Sequence, residues 1–257
     1  MLTWQNSAPD FKVDGPEIAI FPLACLEPHG PHLPIGTDIR ILSEIAIRVA
    51  ERLPVPVFLL PTWPLGMSGC HAGQPGAVYL HYETLWAVVR DVVTSLSLLG
   101  IRNVAVLNNH GSALSSTARP LGNFVVKTAV RQLNYEIPDL TTIWVQPFAA
   151  ACVELNDLFL SASEEVHAGA VETSIMMHLA AEDVGRLPPD NIPDISPAYI
   201  DFIPFHKLTP GGVWGCPNQA SVEKGKQALD AAVKATVRYV LDTFERLTIL
   251  KDSGIVG

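Results

Sequence analysis

Residues 27 to 38 read Glu27-Pro-His29-Gly-Pro-His32-Leu-Pro-Ile-Gly-Thr-Asp38, two carboxylates and two imidazoles on a loop stiffened by Pro and Gly. These are the donor groups that hold zinc, manganese or iron. Glu27 and His29 are separated by one residue, so an extended segment turns both to one side. Asp38, at the start of a helix, can swing its carboxylate back toward them, and one carboxylate can bridge two metal ions. The plainer alternative makes Asp38 a helix N-cap, Glu27 a solvated acid and the histidines polar loop residues. So many donors in so short a loop, at the exit of a buried strand, favour the metal reading.

Two further segments carry the same chemistry. Asn108-Asn109-His110-Gly111-Ser112 follows a strand directly and puts a histidine at its carboxyl end. In His167-Ala-Gly-Ala-Val-Glu172-Thr-Ser, Glu172 shares a helix face with Ile175, Met176 and Leu179, which draws its carboxylate inward, where it needs a metal, an imidazole or backbone donors. His167 stands at the start of that helix or just before it, free to face a substrate and shuttle a proton. The alternative is a capping histidine and a glutamate on a wet face. Gly66-Met67-Ser68-Gly69-Cys70 falls short of a nucleophile elbow, which needs Gly at position 70, and no GxxxxGK[ST] phosphate loop occurs. Cys70 and His71 are sequence neighbours, whereas a thiolate-imidazole pair generally comes from separated segments.

The elements that must position these residues alternate between strand and helix. Residues 17 to 25 (EIAIFPLAC) read as a buried strand, followed by an amphipathic helix from Thr37 or Asp38 as N-cap to the stop at Pro54. Residues 55 to 60 form a second strand, and residues 61 to 76 a Gly/Pro/Ser loop too polar for the core. A helix over residues 82 to 99 ends at Gly100, a third strand covers 104 to 107, a helix 115 to 133 and a fourth strand 141 to 145. A helix starts near His167, residues 186 to 215 form a long loop, and a helix carrying Leu229, Val233, Val237, Val240, Leu241 and Phe244 closes the chain. This order predicts a single α/β domain over residues 1 to 257, with a central, mostly parallel sheet and helices on both faces. Ligands of such sheets sit beyond the carboxyl ends of the strands, where residues 26 to 38, 63 to 76 and 108 to 112 leave the sheet.

Composition agrees. Of the 257 residues, 48% are hydrophobic and 17% charged, which excludes disorder and suits a sheet covered on both sides. The formal charge of −9, with no basic run, argues against nucleic acid or an anionic membrane as partner. Cys25, Cys70, Cys152 and Cys216 show no CxxC spacing, so reduced thiols in a cytoplasmic protein are expected rather than a zinc knuckle. The first residues lack the basic start and apolar core of a secretory signal, and no apolar run approaches the ~18 residues that span a bilayer.

Taken together, LEPHGPHLPIGTD (26 to 38), GMSGCHAGQPG (66 to 76), NNHGS (108 to 112), HAGAVETS (167 to 174) and GGVWGCPNQASVEKGK (211 to 226) resemble the creatininase (creatinine amidohydrolase) family, in order and over nearly the whole chain. The resemblance implies a creatininase-like fold, two divalent metal ions (zinc, manganese or iron) per subunit and a homohexamer. Carried over by motif, Glu27 and His110 would bind one metal, His29 the other, and Asp38 both. His167 would match the family's proton-transferring histidine, with Glu172 the nearest candidate to complete the metal shell and join in catalysis. Ser68, His71, Gly111, Glu164 and the loop from Gly211 to Cys216 would meet the substrate.

Departures from the family pattern bear on substrate. Ser112 stands where creatininase proper has a metal-binding glutamate, Gly111 where it has tyrosine, and Ser163-Glu164 where it has a Trp-Asp pair. Cys70, Gln74 and Ala77 replace Glu, Phe and Thr in the pocket loop. Losing the aromatics removes the stacking surface for a flat creatinine ring, so creatinine is not the expected substrate. The expectation is a metal-dependent amidohydrolase of small cyclic amides or formamides, with a short-peptide-cleaving metallopeptidase, a catalytically inactive metal-binding relative and a serine or cysteine hydrolase as alternatives.

Overall fold

The computed structural model describes residues 1–11, 15–110 and 121–253. Residues such as Ile18, Ile20, Val104 and Val106 combine β-branching with full burial, and they build a sheet whose two sides are both apolar. Its strands are β1 (Leu2–Thr3), β2 (Ile18–Leu23), β3 (Val57–Leu59), β4 (Asn103–Asn108) and β5 (Thr141–Val145). They lie in the order β1-β3-β2-β4-β5, every pair parallel. The expected mostly parallel sheet is thus parallel throughout, with the short edge strand β1 added.

Successive residues of the central strand point to opposite sides. Ile18 and Ile20, with Ala105, Leu107, Ile143 and Val145, face helices α1 (Thr37–Arg52), α6 (Ala170–Leu179) and α8 (Val222–Asp252). Ala19, Phe21 and Leu23, with Val104 and Val106, face α2 (Tyr82–Leu98) and α3 (Leu121–Glu136). On α1 the buried positions Ile41, Leu42, Ile45, Ala46 and Val49 repeat at helical spacing, and each large aliphatic side chain so buried is worth about 1.5–3 kcal/mol. Pro22 lacks an N–H to give a ladder and is tolerated on the side where β3 has already ended; its carbonyl on that side accepts from the Trp63 N–H at 2.9 Å.

Short helices α4 (Pro147–Ala150) and α5 (Cys152–Leu158) and the one-turn α7 (Phe205–Leu208) complete the chain. α6 packs against α8, and Gly225 makes the approach possible, since a Cβ there would lie 1.9 Å from the Ser174 carbonyl oxygen. Among the described residues, no helix is long and apolar enough to cross a membrane.

Three features that bear on the site differ from the sequence reading. Gly36, not Thr37 or Asp38, occupies the cap of α1, because the Thr37 hydroxyl donates to the Pro34 carbonyl and Asp38 already lies in the first helical turn. The helix expected near His167 starts at Ala170, since His167 pairs with Trp214 in a bridge and Ala168 adopts φ +51°. The 61–76 loop is not wholly outside the core: Gly66, Ser68 and His71 are buried against the sheet end. Gly111, Ser112 and the expected start of the third helix at residue 115 lie outside the described residues.

Candidate metal centre

The carboxyl ends of β2 and β4 lie side by side, Leu23 opposite Asn108, and the Asn108 amide donates to the Leu23 carbonyl at 3.1 Å. From this junction the chain leaves toward Glu27 and His29 on one strand and His110 on the other. α1 begins at the same end of the sheet and delivers Asp38. Glu27, His29, Asp38, His71 and His110 are each less than 5% exposed, and His167 is 7% exposed.

Asp38 faces two ways. Its Oδ1 lies 3.3 Å from His29 Nε2 and its Oδ2 lies 3.5 Å from His110 Nδ1. Glu27 is also shared: Oε2 lies 3.3 Å from His110 Nδ1, while Oε1 lies 3.7 Å from both His71 Nε2 and His167 Nδ1. Ligand atoms come within 4.8 Å of one another in three groups: Cys25, Glu27, Asp38 and His110; Glu27, His71 and His167; and His29, His167 and Glu172. Among the described residues, Glu27 Oε2, Asp38 Oδ2 and His29 Nε2 are buried without a hydrogen-bond partner. Buried anionic oxygens in that state are costly, and a cation among them removes the cost.

Backbone carbonyls orient two of the imidazoles. A carbonyl only accepts, so His29 Nδ1–H donates to the Glu27 carbonyl at 3.0 Å, which directs Nε2 toward Asp38. By the same reasoning His167 Nε2–H donates to the Pro28 carbonyl at 2.7 Å and turns Nδ1 toward Glu27. The His167 ring lies 4.3 Å from that of His29 and 4.9 Å from those of His71 and Phe205, centroid to centroid.

Charge is shared unequally across the cluster. Burial opposes protonation of His29, but Asp38 and the other carboxylates outweigh it and raise the imidazole to about 10. Burial, then the positive charge of His29 and the neighbouring His71, pushes His167 well below its ordinary value, so its ring is neutral with a lone pair on Nδ1. Burial pushes Glu172 up to about 7 and the Cys25 thiol up to about 11. Cations would displace the protons that His29 and its neighbours otherwise hold.

The structure therefore brings together Glu27, His29, Asp38, His71, His110, His167 and Glu172. Glu172 is half-buried, and its Oε2 already accepts from the Ala168 N–H at 2.7 Å. Ser68 is fully buried, and among the described residues its hydroxyl has no hydrogen-bond partner. Glu164 is exposed on the surface; its neighbour Glu165 is the buried acid, accepting from Ala170 and Cys216 N–H at 2.9 Å and from the Ser161 hydroxyl at 2.8 Å, which ties the start of α6 to the 211–216 loop. His32 turns away from the cluster and pairs with Thr173 Oγ1 at 2.9 Å across 141 residues. Cys25 joins the cluster although sequence reasoning did not select it; its spacing of two from Glu27 was the available signal.

The family model described as "Creatininase: Creatinine amidohydrolase" matches residues 1–240. The chain is 31% identical over 171 residues to the mycofactocin precursor peptide peptidase of Mycolicibacterium smegmatis, covering 65% of this chain and 60% of that relative's length. It is 27% identical over 261 residues to the creatinine amidohydrolase of Pseudomonas putida, covering 95% of each. A solved structure described as "Creatininase Mn" superposes with a TM-score of 0.72 at 22% identity, covering 95% of this chain and 98% of that one.

Proposed function

The chain belongs to the creatininase family of hydrolases, and from that premise we propose that it hydrolyses the C–N bond of a small amide at a two-cation centre built on Asp38. Glu27 and His110 would hold one cation, His29 and Glu172 the other, and Asp38 would reach both. The observation that carries this reading is the disposition of Asp38, one oxygen 3.3 Å from His29 and the other 3.5 Å from His110. Divalent cations in such a setting lower the pKa of water toward 7 and polarise a carbonyl, and zinc, manganese and iron all suit the donors.

The chain's own groups supply the rest. His167 is held in one tautomer by the Pro28 carbonyl, so Nδ1 can take a proton and return it to the leaving nitrogen. His71 is steadied by Gln74, whose amide lies 3.2 Å from Nδ1, and with Ser68 it would position the substrate. Phe205 covers the His71 and His167 rings and keeps water from that side. Gly111, outside the described residues, is carried over as a substrate contact by family resemblance alone. Glu164, exposed on the surface, would meet substrate only at the rim or not at all.

Cyclic amides and formamides fit this arrangement. Short peptides are a second reading, favoured by the likeness to a precursor-peptide peptidase. A homo-oligomer, a hexamer, is proposed by family resemblance alone. Four free cysteines support a reducing, cytoplasmic setting.

The test is a panel of cyclic amides, formylaminopyrimidines and short peptides, run on protein stripped of metal and then reloaded with zinc, manganese or iron(II). Turnover of one class that chelation removes and metal restores is the expected result. Stoichiometric metal without turnover of any class would support the inactive metal-binding alternative, and chelator-insensitive turnover blocked by a serine or thiol reagent would overturn the metal reading.

A further inference from the structure

Four donors, not three, come together where Glu27, Asp38 and His110 meet. The fourth is Cys25, whose Sγ lies within 4.8 Å of the ligand atoms of the other three. The side chain is fully buried at the end of β2, two residues before Glu27. Gly66 presses on it from behind: a Cβ at that position would lie 2.3 Å from Cys25 Sγ and 2.9 Å from the Ala24 carbonyl oxygen. The sulfur is thus held from one side by the loop that also carries Ser68 and His71, with the carboxylates close by.

We infer that Cys25 Sγ is a protein ligand to the cation held by Glu27, Asp38 and His110, making this half of the centre a mixed sulfur, nitrogen and oxygen site that prefers zinc. The inference rests on the metal-centre reading given above. Zinc bonds of about 2.0–2.1 Å to N and O place neighbouring tetrahedral ligands about 3.3 Å apart. The observed separations of 3.3 Å from His110 Nδ1 to Glu27 Oε2 and 3.5 Å to Asp38 Oδ2 match that spacing. Both of these carboxylate oxygens are buried with no hydrogen-bond partner among the described residues, and both belong to the group of ligand atoms that includes the sulfur.

The chemistry then separates the two halves. Thiolate is a soft ligand that selects zinc over manganese, whereas the His29 and Glu172 half offers only nitrogen and oxygen. As the metal–sulfur bond forms, the S–H bond breaks and its proton passes to solvent. With four donors from the protein, the Cys25 half approaches the closed coordination of a structural zinc site, and the other half keeps room for substrate.

The experiment loads metal-free, full-length protein with cobalt(II) and records the near-ultraviolet spectrum. An intense thiolate-to-cobalt charge-transfer band is expected in the wild type and in Cys70→Ser, and its absence in Cys25→Ser. Zinc-to-manganese preference, measured by competition and elemental analysis, should fall at least ~10-fold in Cys25→Ser. Should that variant fail to fold, zinc-edge X-ray absorption on the wild type decides alone, with a sulfur scatterer at about 2.3 Å expected. Stoichiometric metal binding with no sulfur signature in the wild type would overturn the role of Cys25 and leave the two-cation reading standing. Absence of stoichiometric cobalt or zinc binding would overturn both.

Discussion

The two halves of the buried cluster are held by different kinds of structure. Cys25, Glu27 and His110 follow the adjacent ends of β2 and β4, tied together by the Asn108 to Leu23 hydrogen bond, and Asp38 sits in the first turn of α1 packed on the same sheet. Their placement follows from strand register. His167 hangs instead on irregular backbone, an isolated bridge to Trp214 and a left-handed Ala168, and Glu172, in the first turn of α6, is tied to it by accepting the Ala168 N–H. The sheet-borne half inherits the rigidity of a ladder of backbone hydrogen bonds, while the loop-borne half depends on a few long-range contacts, of which His32 to Thr173 and the α6–α8 approach at Gly225 are the clearest. A rigid half suits an ion that only has to be held; an adjustable half suits a proton carrier and a substrate.

Asp38→Asn breaks the comparison most severely, because Asp38 touches both halves. It should lose metal from both positions and all measurable turnover while circular dichroism still reports a folded protein. Elemental analysis showing full metal content would remove Asp38 as the shared ligand. Next, His167→Ala should keep its metal and lose about 10²–10⁴-fold in kcat, the range expected for a positioned acid–base group. Loss of metal in that variant would make His167 a ligand, and the loop-borne half would then be as much a metal cage as the other.

Smaller effects test how each half is supported. Gly225→Ala drives a methyl into the Ser174 carbonyl, so α6 must move off α8, at a cost of about 1–3 kcal/mol in urea unfolding. Metal should be lost preferentially from the His29 and Glu172 half; equal loss from both would show that the halves are not supported separately. Ala168→Gly should act in the opposite sense. It relieves a left-handed alanine at φ +51° and raises stability by no more than about 1 kcal/mol, offset in part by glycine's greater freedom in the unfolded chain. A lower thermal midpoint in this variant would mean that the Ala168 methyl packs more than it strains.

Periodicity reported local burial faithfully. The continuous apolar run of residues 18 to 23, the helical spacing of Ile41, Ile45 and Val49, and Gly100 at φ +89° closing α2 are properties of short segments, and they were legible because each is set by neighbours in the chain. The donor types in residues 27 to 38 were legible for the same reason, and the rule that parallel sheets bind at their carboxyl ends brought His110 to them. Which atoms meet was not. His29 and His32 look equivalent in sequence, yet one faces Asp38 and the other reaches Thr173. Glu164 and Glu165 are adjacent, yet only the second enters the interior. Cys25 and His71 join the cluster through the packing of Gly66 and the turn at residues 69–71. The chain by itself determined the elements, the end of the sheet that carries the chemistry and the kinds of donors assembled there. Tertiary structure decided their pairing, because contacts across 85 or 141 residues depend on strand register and on backbone approaches that no local pattern encodes.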